Sequence, residues 1–560
     1  MGDWKEQLRK IKRVMLGGTS TEPGKRDARS DNPEKPSPKR TASRHDTNST
    51  SAVAKPTGQP SRDSGTNSQT PRTVTKGDAR STVSSGGEPS SSARSKPQDR
   101  ETNLPVFRPR IDLKHPLTMP DWVETGRSLQ HPDHSGNGPP MVVRMGVDFG
   151  TAFTKVAIRA GVDVVLVDWS AASGDESRIG RYVMPGVVCR TPAGEYCWRP
   201  TERQDVHGNL KLPVIENAAT DDCPIATLAF LALVIRYARA FLYRHPEVGR
   251  KLPTRTLRWE LNIGCPTEPH ERPEVVETFQ KIARTAWRLA DTDTLREVDI
   301  ASAWRDTMGD LGLEAEPGVT PEFVAQIAGY LRSPQVNEGL HALVDIGAAT
   351  VDVATFNVVL PTDFDSLPRI PIFFSAVKSL GTHYLSHNRY SRLGMEPTWD
   401  DDAPVEPADE MAKRLGRQLS EIDALDGEFT NKVSRCITAV IDGTRTSRRG
   451  DPRSEAWKEG LPIFVTGGGA ACELYRRAIE KAQDAVKSKM GPNRRFRFIE
   501  LDSLSPASRL SGDEIGTRVT VAIGLTEDAD NIARVVPHRD IKPISHSRVE
   551  RVDHTEIYGD

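Results

Sequence analysis

Gly146-Val147-Asp148-Phe149-Gly150-Thr151-Ala152-Phe153-Thr154-Lys155 has a plan that returns at Leu343-Val344-Asp345-Ile346-Gly347-Ala348-Ala349-Thr350-Val351-Asp352. Each stretch is an apolar run ending on an Asp, a turn containing Gly, and a second apolar run, which reads as a β-hairpin tipped by a carboxylate. A third stretch, Ile463-Phe464-Val465-Thr466-Gly467-Gly468-Gly469, is an apolar strand ending on three glycines, followed by a helical pattern. One such Asp-turn alone is most often a surface hairpin. Two of them plus the glycine strand end, in this order, predict two hairpins facing each other, with a polyphosphate and its metal between two carboxylates.

The chemistry of the first turn fits that expectation. Gly150 lets the main chain approach an anion closely, and the amides of Thr151, Ala152 and Phe153 can point at phosphate oxygens. Thr151 and Thr154 add hydroxyl donors. Asp148 ends a buried strand, where an unpaired charge is expensive, so a cation is its natural partner. Hydrated Mg²⁺ suits the position because it keeps its waters and touches few carboxylates directly. Asp345 stands in the equivalent place of the second hairpin. The glycines at 467–469 would leave room for a nucleoside.

Bulk properties narrow the rest. The chain has 560 residues with 76 basic and 77 acidic side chains, so no global field argues for a nucleic-acid partner. The basic run from Arg445 to Arg453 reads as a solvated surface. Residues 19–140 are rich in Ser, Thr, Pro, Gly and Arg and poor in large apolar side chains, which predicts a long disordered segment. Before it, Trp4, Leu8, Ile11 and Met15 fall at helical spacing among basic residues, giving a basic amphipathic helix over 1–18 that could dock a protein partner. Alternatively, it packs back on the folded body. Pro105 to about Pro140, with Trp122, reads as a lead-in along the surface of the core.

Six cysteines lack metal or disulfide-framework spacing, the N-terminus lacks a signal-peptide apolar core, and Glu6 replaces the Ser or Thr of a myristoylation signal. The most apolar stretch, Ala226 to Phe241, is interrupted by Arg236 and Arg239 and reads as too short to span a bilayer. A cytoplasmic protein is expected.

The two hairpins each open a run of alternating strands and helices, so a duplicated α/β architecture is predicted. The pattern places helices at Thr227–Tyr243, Pro273–Ala290, Pro321–Leu331, Thr382–Tyr390, Glu410–Leu425, Phe429–Ile441 and Glu473–Val486, with strands at 257–263 and 370–377. The corresponding units are a first lobe at 141–342, a second at 343–505, a returning helix at 506–528 and a loose polar tail at 529–560.

These motifs resemble the actin/Hsp70/sugar-kinase superfamily of ATPases, and within it the Hsp70 nucleotide-binding domain. Asp148 to Thr151 resembles the first phosphate loop, Asp345 to Asp352 the second, and Thr466 to Gly469 the adenosine loop. Pro185-Gly186-Val187-Val188, Asn262 to Pro266, Glu322 to Ala328, Leu380 to Leu385 and Val519 to Leu525 are similar to further Hsp70 segments. The resemblance implies a two-lobed actin-like fold with duplicated RNase H-like lobes, ATP and Mg²⁺ as ligands, and ATP hydrolysis. It implies that Asp148 and Asp345 hold the Mg²⁺ through water, that Thr151 and Thr350 contact phosphate, and that Glu322 orients the attacking water with Asp352 near it. Gly150, Thr151, Ala152, Phe153, Lys155, Gly347, Ala348, Ala349, Thr350, Gly467, Gly468 and Gly469 would line the nucleotide.

Three departures qualify the match. Ala348-Ala349 stands where the family carries glycines. No basic residue follows the adenosine loop at Ala470-Ala471-Cys472. No counterpart of the family's catalytic lysine follows Glu195, which leaves Arg203 or Lys155 as substitutes. The short chain beyond Asp528 does not accommodate an Hsp70 peptide-binding domain. The expectation is therefore a nucleotide-dependent, chaperone-like conformational switch that engages a protein partner. An actin-like filament-forming ATPase and a nucleotide-sensing scaffold without turnover are the alternatives. A small-molecule kinase would need a general-base Asp near the first lobe, and none presents itself.

Overall fold

A computed structural model describes residues 117–543 apart from 178–179, 199–204, 219, 307–308, 364–365, 396–404, 491–494, 502–512 and 528–531. The basic helix at 1–18, Arg203, most of the 19–140 segment and the end of the C-terminal tail lie outside the described residues.

The protein is mixed α/β, built on two six-stranded sheets. The first contains β1 (Pro140–Phe149), β2 (Phe153–Ala160), β3 (Asp163–Leu166), β4 (Thr256–Cys265) and β5 (Gly318–Pro321), in the order β3-β2-β1-β4-β5, with Met184–Pro185 added on β2. The second contains β6 (Gly339–Ile346), β7 (Val351–Val358), β8 (Arg369–Lys378), β9 (Leu461–Thr466), β10 (Phe496–Ile499) and β11 (Arg534–Val536), in the order β10-β9-β6-β7-β8-β11. In both sheets the first three strands form an antiparallel meander, and the fourth returns parallel to the first with the fifth parallel to it. The same order occurs twice, as the repeated hairpins predict.

The helices are α1 (Ile225–Arg244), α2 (Pro273–Leu289), α3 (Glu322–Leu331), α4 (Thr382–Arg392), α5 (Leu419–Thr446), α6 (Glu473–Met490) and α7 (Asp513–Gly524). Helix α1 is longer than the apolar stretch suggests. Its 20 residues make it long and apolar enough to cross a membrane by length and composition, yet most of it is buried inside the fold. Its two arginines do not interrupt it. Arg236 donates to the carbonyls of Ala290 and Thr292 at the end of α2, which have no partner within that helix. Arg239 pairs with Asp291 and lies 3.7 Å over the Trp287 ring.

Helix α3 packs on the second sheet, where Phe323, Ile327 and Tyr330 meet Leu343, Phe356 and Phe464. Helix α7 covers the first sheet at Ala157 and Leu166 and crosses α3 at Ala325. Gly524 makes that crossing possible, because a Cβ there would run into the Ala325 carbonyl. The two connecting helices thus lean on each other, one on each sheet.

Three boundaries need correction. Ordered chain begins by Leu117, not near 141: Asp121–Arg127 forms a 3-10 turn on α1, Leu117 and Val123 are buried, and the Trp122 ring lies 4.9 Å from Tyr237. The second sheet starts at Gly339, before the predicted junction at 343. The polar tail is not loose throughout. Ile532 and Ala533 are buried, β11 pairs with β8, and Arg539 donates to the Glu271 carbonyl.

Candidate functional site

Asp148 lies at the carboxyl end of β1 and Asp345 at that of β6, where ligands gather in sheets of this kind. The two hairpins load their tips differently. Directly across from Asp148 stands Lys155, and the two form an ion pair at 3.0 Å. Directly across from Asp345 stands a second carboxylate, Asp352.

Asp352 is buried, and burial is the main reason its carboxyl is pushed up to about 7, with Asp345 and Glu322 adding to the rise. The Thr267 amide donates to its Oδ2 at 3.0 Å, while its Oδ1 is buried without a partner. Asp345 is raised as well, first by burial and then by Asp148. Asp148 is thus near enough to Asp345 to act on its charge, which brings the two hairpin tips toward one place. Gln326 on α3 donates to Asp345 Oδ2 at 2.7 Å.

Glu322 opens α3 and reaches the same cluster. Burial raises its carboxyl, and Asp148 and Asp345 raise it further. Its partner is a lysine that sequence reasoning missed. Lys211 is buried and ion-paired to Glu322; burial opposes its charge, but Glu322 and then Asp148 outweigh that and raise it overall. Lys211 follows the left-handed residue Asn209, at φ 51°, and precedes the short helix Leu212–Glu216. No local signal marks it, because a lysine between two leucines is most often exposed. Lys155, one of the two basic residues considered in place of a catalytic lysine, is engaged with Asp148.

The loops around the cluster are braced from behind. In the second turn the carbonyls of Gly347, Ala348 and Ala349 accept from the amides of Thr382, His383 and Gly381 at the start of α4. Across each trans-planar peptide the following amide points the opposite way, so those of Ala348, Ala349 and Thr350 face away from α4 as a potential anion cradle. The Ala349 methyl is itself buried. In the first turn the Ala152 carbonyl accepts from Gly186 N–H at 2.7 Å. Gly150 turns back beside Phe153, and Thr151 is half-buried.

Gly467 lies against Asp345, to which Thr466 is paired in register. Its φ of +85° and the closeness of Asp345 and the Ile346 carbonyl leave no room for a side chain. Gly469 N–H donates to the Ile346 carbonyl. Beside Gly468 comes the guanidinium of Arg518 from α7, so a basic group reaches this loop from a distant segment.

The halves also touch directly. Thr267 bonds Asp352 as above, and Glu268 accepts from the Val377 amide at 2.7 Å. Four carboxyl groups and two ammonium groups thus form one largely buried cluster in which acidic groups outnumber basic ones. That donor set suits a divalent cation. Among the described residues no group of three or more His, Cys, Asp or Glu side chains is placed to hold a metal ion.

No protein-family model matches the chain, and no curated protein matches it significantly.

Proposed function

We propose that the protein binds ATP with Mg²⁺ between the two sheets of a two-lobed, actin-like and most nearly Hsp70-like fold, and hydrolyses it as a nucleotide-dependent switch. The observation that carries the reading is the buried cluster of Asp148, Glu322, Asp345 and Asp352, where acidic groups outnumber basic ones, at the tips of two like-ordered sheets. Such a cluster is costly unless a cation completes it.

Asp148 and Asp345 would hold the magnesium through its waters, and the ion would neutralise charge at the phosphates. The amides of Ala348, Ala349 and Thr350, with those of Thr151 to Phe153, cradle phosphate oxygens. Lys211 fixes Glu322, which orients the attacking water. Asp352, near neutrality and with one oxygen unpartnered, takes the proton as water adds to phosphorus and ADP leaves. Little covalent chemistry is required, because phosphoryl transfer depends mainly on positioning and charge neutralisation.

ATP binding and phosphate release by the full chain test this reading. Asp148→Ala should weaken binding of the magnesium–nucleotide complex. Glu322→Ala should bind ATP but release phosphate about 10²-fold more slowly, the usual effect of misplacing a reacting group. Absence of ATP binding by the wild-type chain would overturn the proposal. One observation favours a sensor without turnover: Glu322 is already committed to Lys211. ATP binding without phosphate release would select that alternative.

The partner would engage residues 1–18 through Trp4, Leu8, Ile11 and Met15. A chain starting at residue 117 should keep nucleotide binding and lose the partner, and equal partner recovery would reject this role.

A further inference from the structure

Gln326 does more than its helix requires. It lies one turn beyond Glu322 on α3, on the same face, and is only 4% exposed. Its Nε2 donates to Asp345 Oδ2 at 2.7 Å. The amide presents its NH₂ to Asp345, which leaves Oε1 directed away from that contact. That oxygen is buried and has no hydrogen-bond partner in the protein. Buried acceptors of this kind are normally satisfied, and a polar atom left open beside a carboxylate at a strand tip points to a donor supplied from outside the chain.

Resting on the proposed magnesium–nucleotide reading, we infer that Gln326 is the positioning residue of the cation. Its amide nitrogen holds the Asp345 carboxylate in orientation, and its Oε1 accepts a hydrogen bond from a water of the ion's hydration shell. One side chain thereby links α3, which carries Glu322, to the strand that carries Asp345. The arrangement selects a hydrated divalent cation, whose waters are strong donors, over a bare ion that would need direct oxygen ligands.

The test is equilibrium binding of a fluorescent ADP analogue to the full chain, titrated with Mg²⁺ and repeated in EDTA. Gln326→Met keeps the volume and removes both polar functions. It should raise the half-saturating Mg²⁺ concentration 10–100-fold, the usual effect of losing a residue that orients a metal ligand. Affinity in EDTA should stay within about twofold, because the amide is not assigned a nucleotide contact. If Gln326→Met does not fold, Gln326→Ala, which leaves space for water, is measured in the same way. An unchanged Mg²⁺ requirement, or an equal loss in EDTA, would overturn the inference while leaving the proposed function standing. No Mg²⁺-dependent binding by the wild-type chain would overturn both.

Discussion

Asp352 and His341 show how differently two buried titratable groups can be treated in one sheet. Asp352 faces Asp345 across adjacent strands, and like charges so placed repel, so burial and its neighbours hold its carboxyl near 7. His341 lies on the same strand as Asp345, with the Phe356 and Phe464 rings nearly parallel to it at centroid distances of 5.7 and 5.8 Å. Its Nδ1–H donates to the Gly339 carbonyl, and its Nε2 lies 2.9 Å from the Tyr330 hydroxyl, which can donate to it when the ring is neutral. Burial, opposed by the Gly339 bond and helped by Arg497, depresses its pKa to about 4. Between roughly pH 4 and 6.5 the unfolded chain therefore binds more protons at this residue than the folded one does. Its contribution is fully present above 6.5 and is lost as pH falls through that window, up to about 3 kcal/mol. Urea titrations of wild type and His341→Phe across pH 4 to 7 should show a stability difference that shrinks on acidification. A difference independent of pH would contradict the neutral assignment. Lys211 belongs at this scale too: its burial and its pairing with Glu322 join residues far apart in the chain and have no local signature.

Helix α5 illustrates where pattern reading of elements stops. The sequence around Asp426-Gly427 suggests a break between two helices, since glycine inside a helix costs about 1 kcal/mol. The structure instead carries one helix through Leu419–Thr446, preceded by a short helix at Ala408–Leu415. The reason is tertiary. Asp426 is buried and receives both the Nε and the Nη2 of Arg389 from α4, at 2.7 and 2.6 Å, while Arg389 also donates to the Glu406 carbonyl. This ion pair holds the helix across its weakest residue. Asp426→Ala should cost about 3–5 kcal/mol, because it strands a buried guanidinium. Arg389→Met with Asp426→Leu should cost far less than that single change, as apolar replacement removes both charges together. Chemical denaturation of the three proteins checks the order, and a double variant weaker than Asp426→Ala would refute it. The hairpins, by contrast, follow their apolar runs closely, because alternation and turn chemistry act over a few residues.

For the whole molecule, the ordered body extends beyond the limits that composition draws. Leu117, Val123 and Trp122 pack on α1 before the first strand, and Ile532 to Val536 extends the second sheet after the last helix. A chain starting at 141 should be less stable than one starting at 117 by several kcal/mol, since each large side chain withdrawn from a core costs about 1.5–3 kcal/mol. Thermal unfolding of the two truncations measures this, and equal midpoints would show that the leading segment contributes nothing. The sequence alone determined the two Asp-tipped hairpins, the glycine strand end and the α/β alternation, because these depend on short-range periodicity and turn preference. Only the tertiary structure decided which charges meet: Lys211 with Glu322, Gln326 with Asp345, Arg518 beside Gly468, Thr267 with Asp352. Such pairings join segments through packing, and their stability comes from burial and electrostatics that no local window of sequence contains.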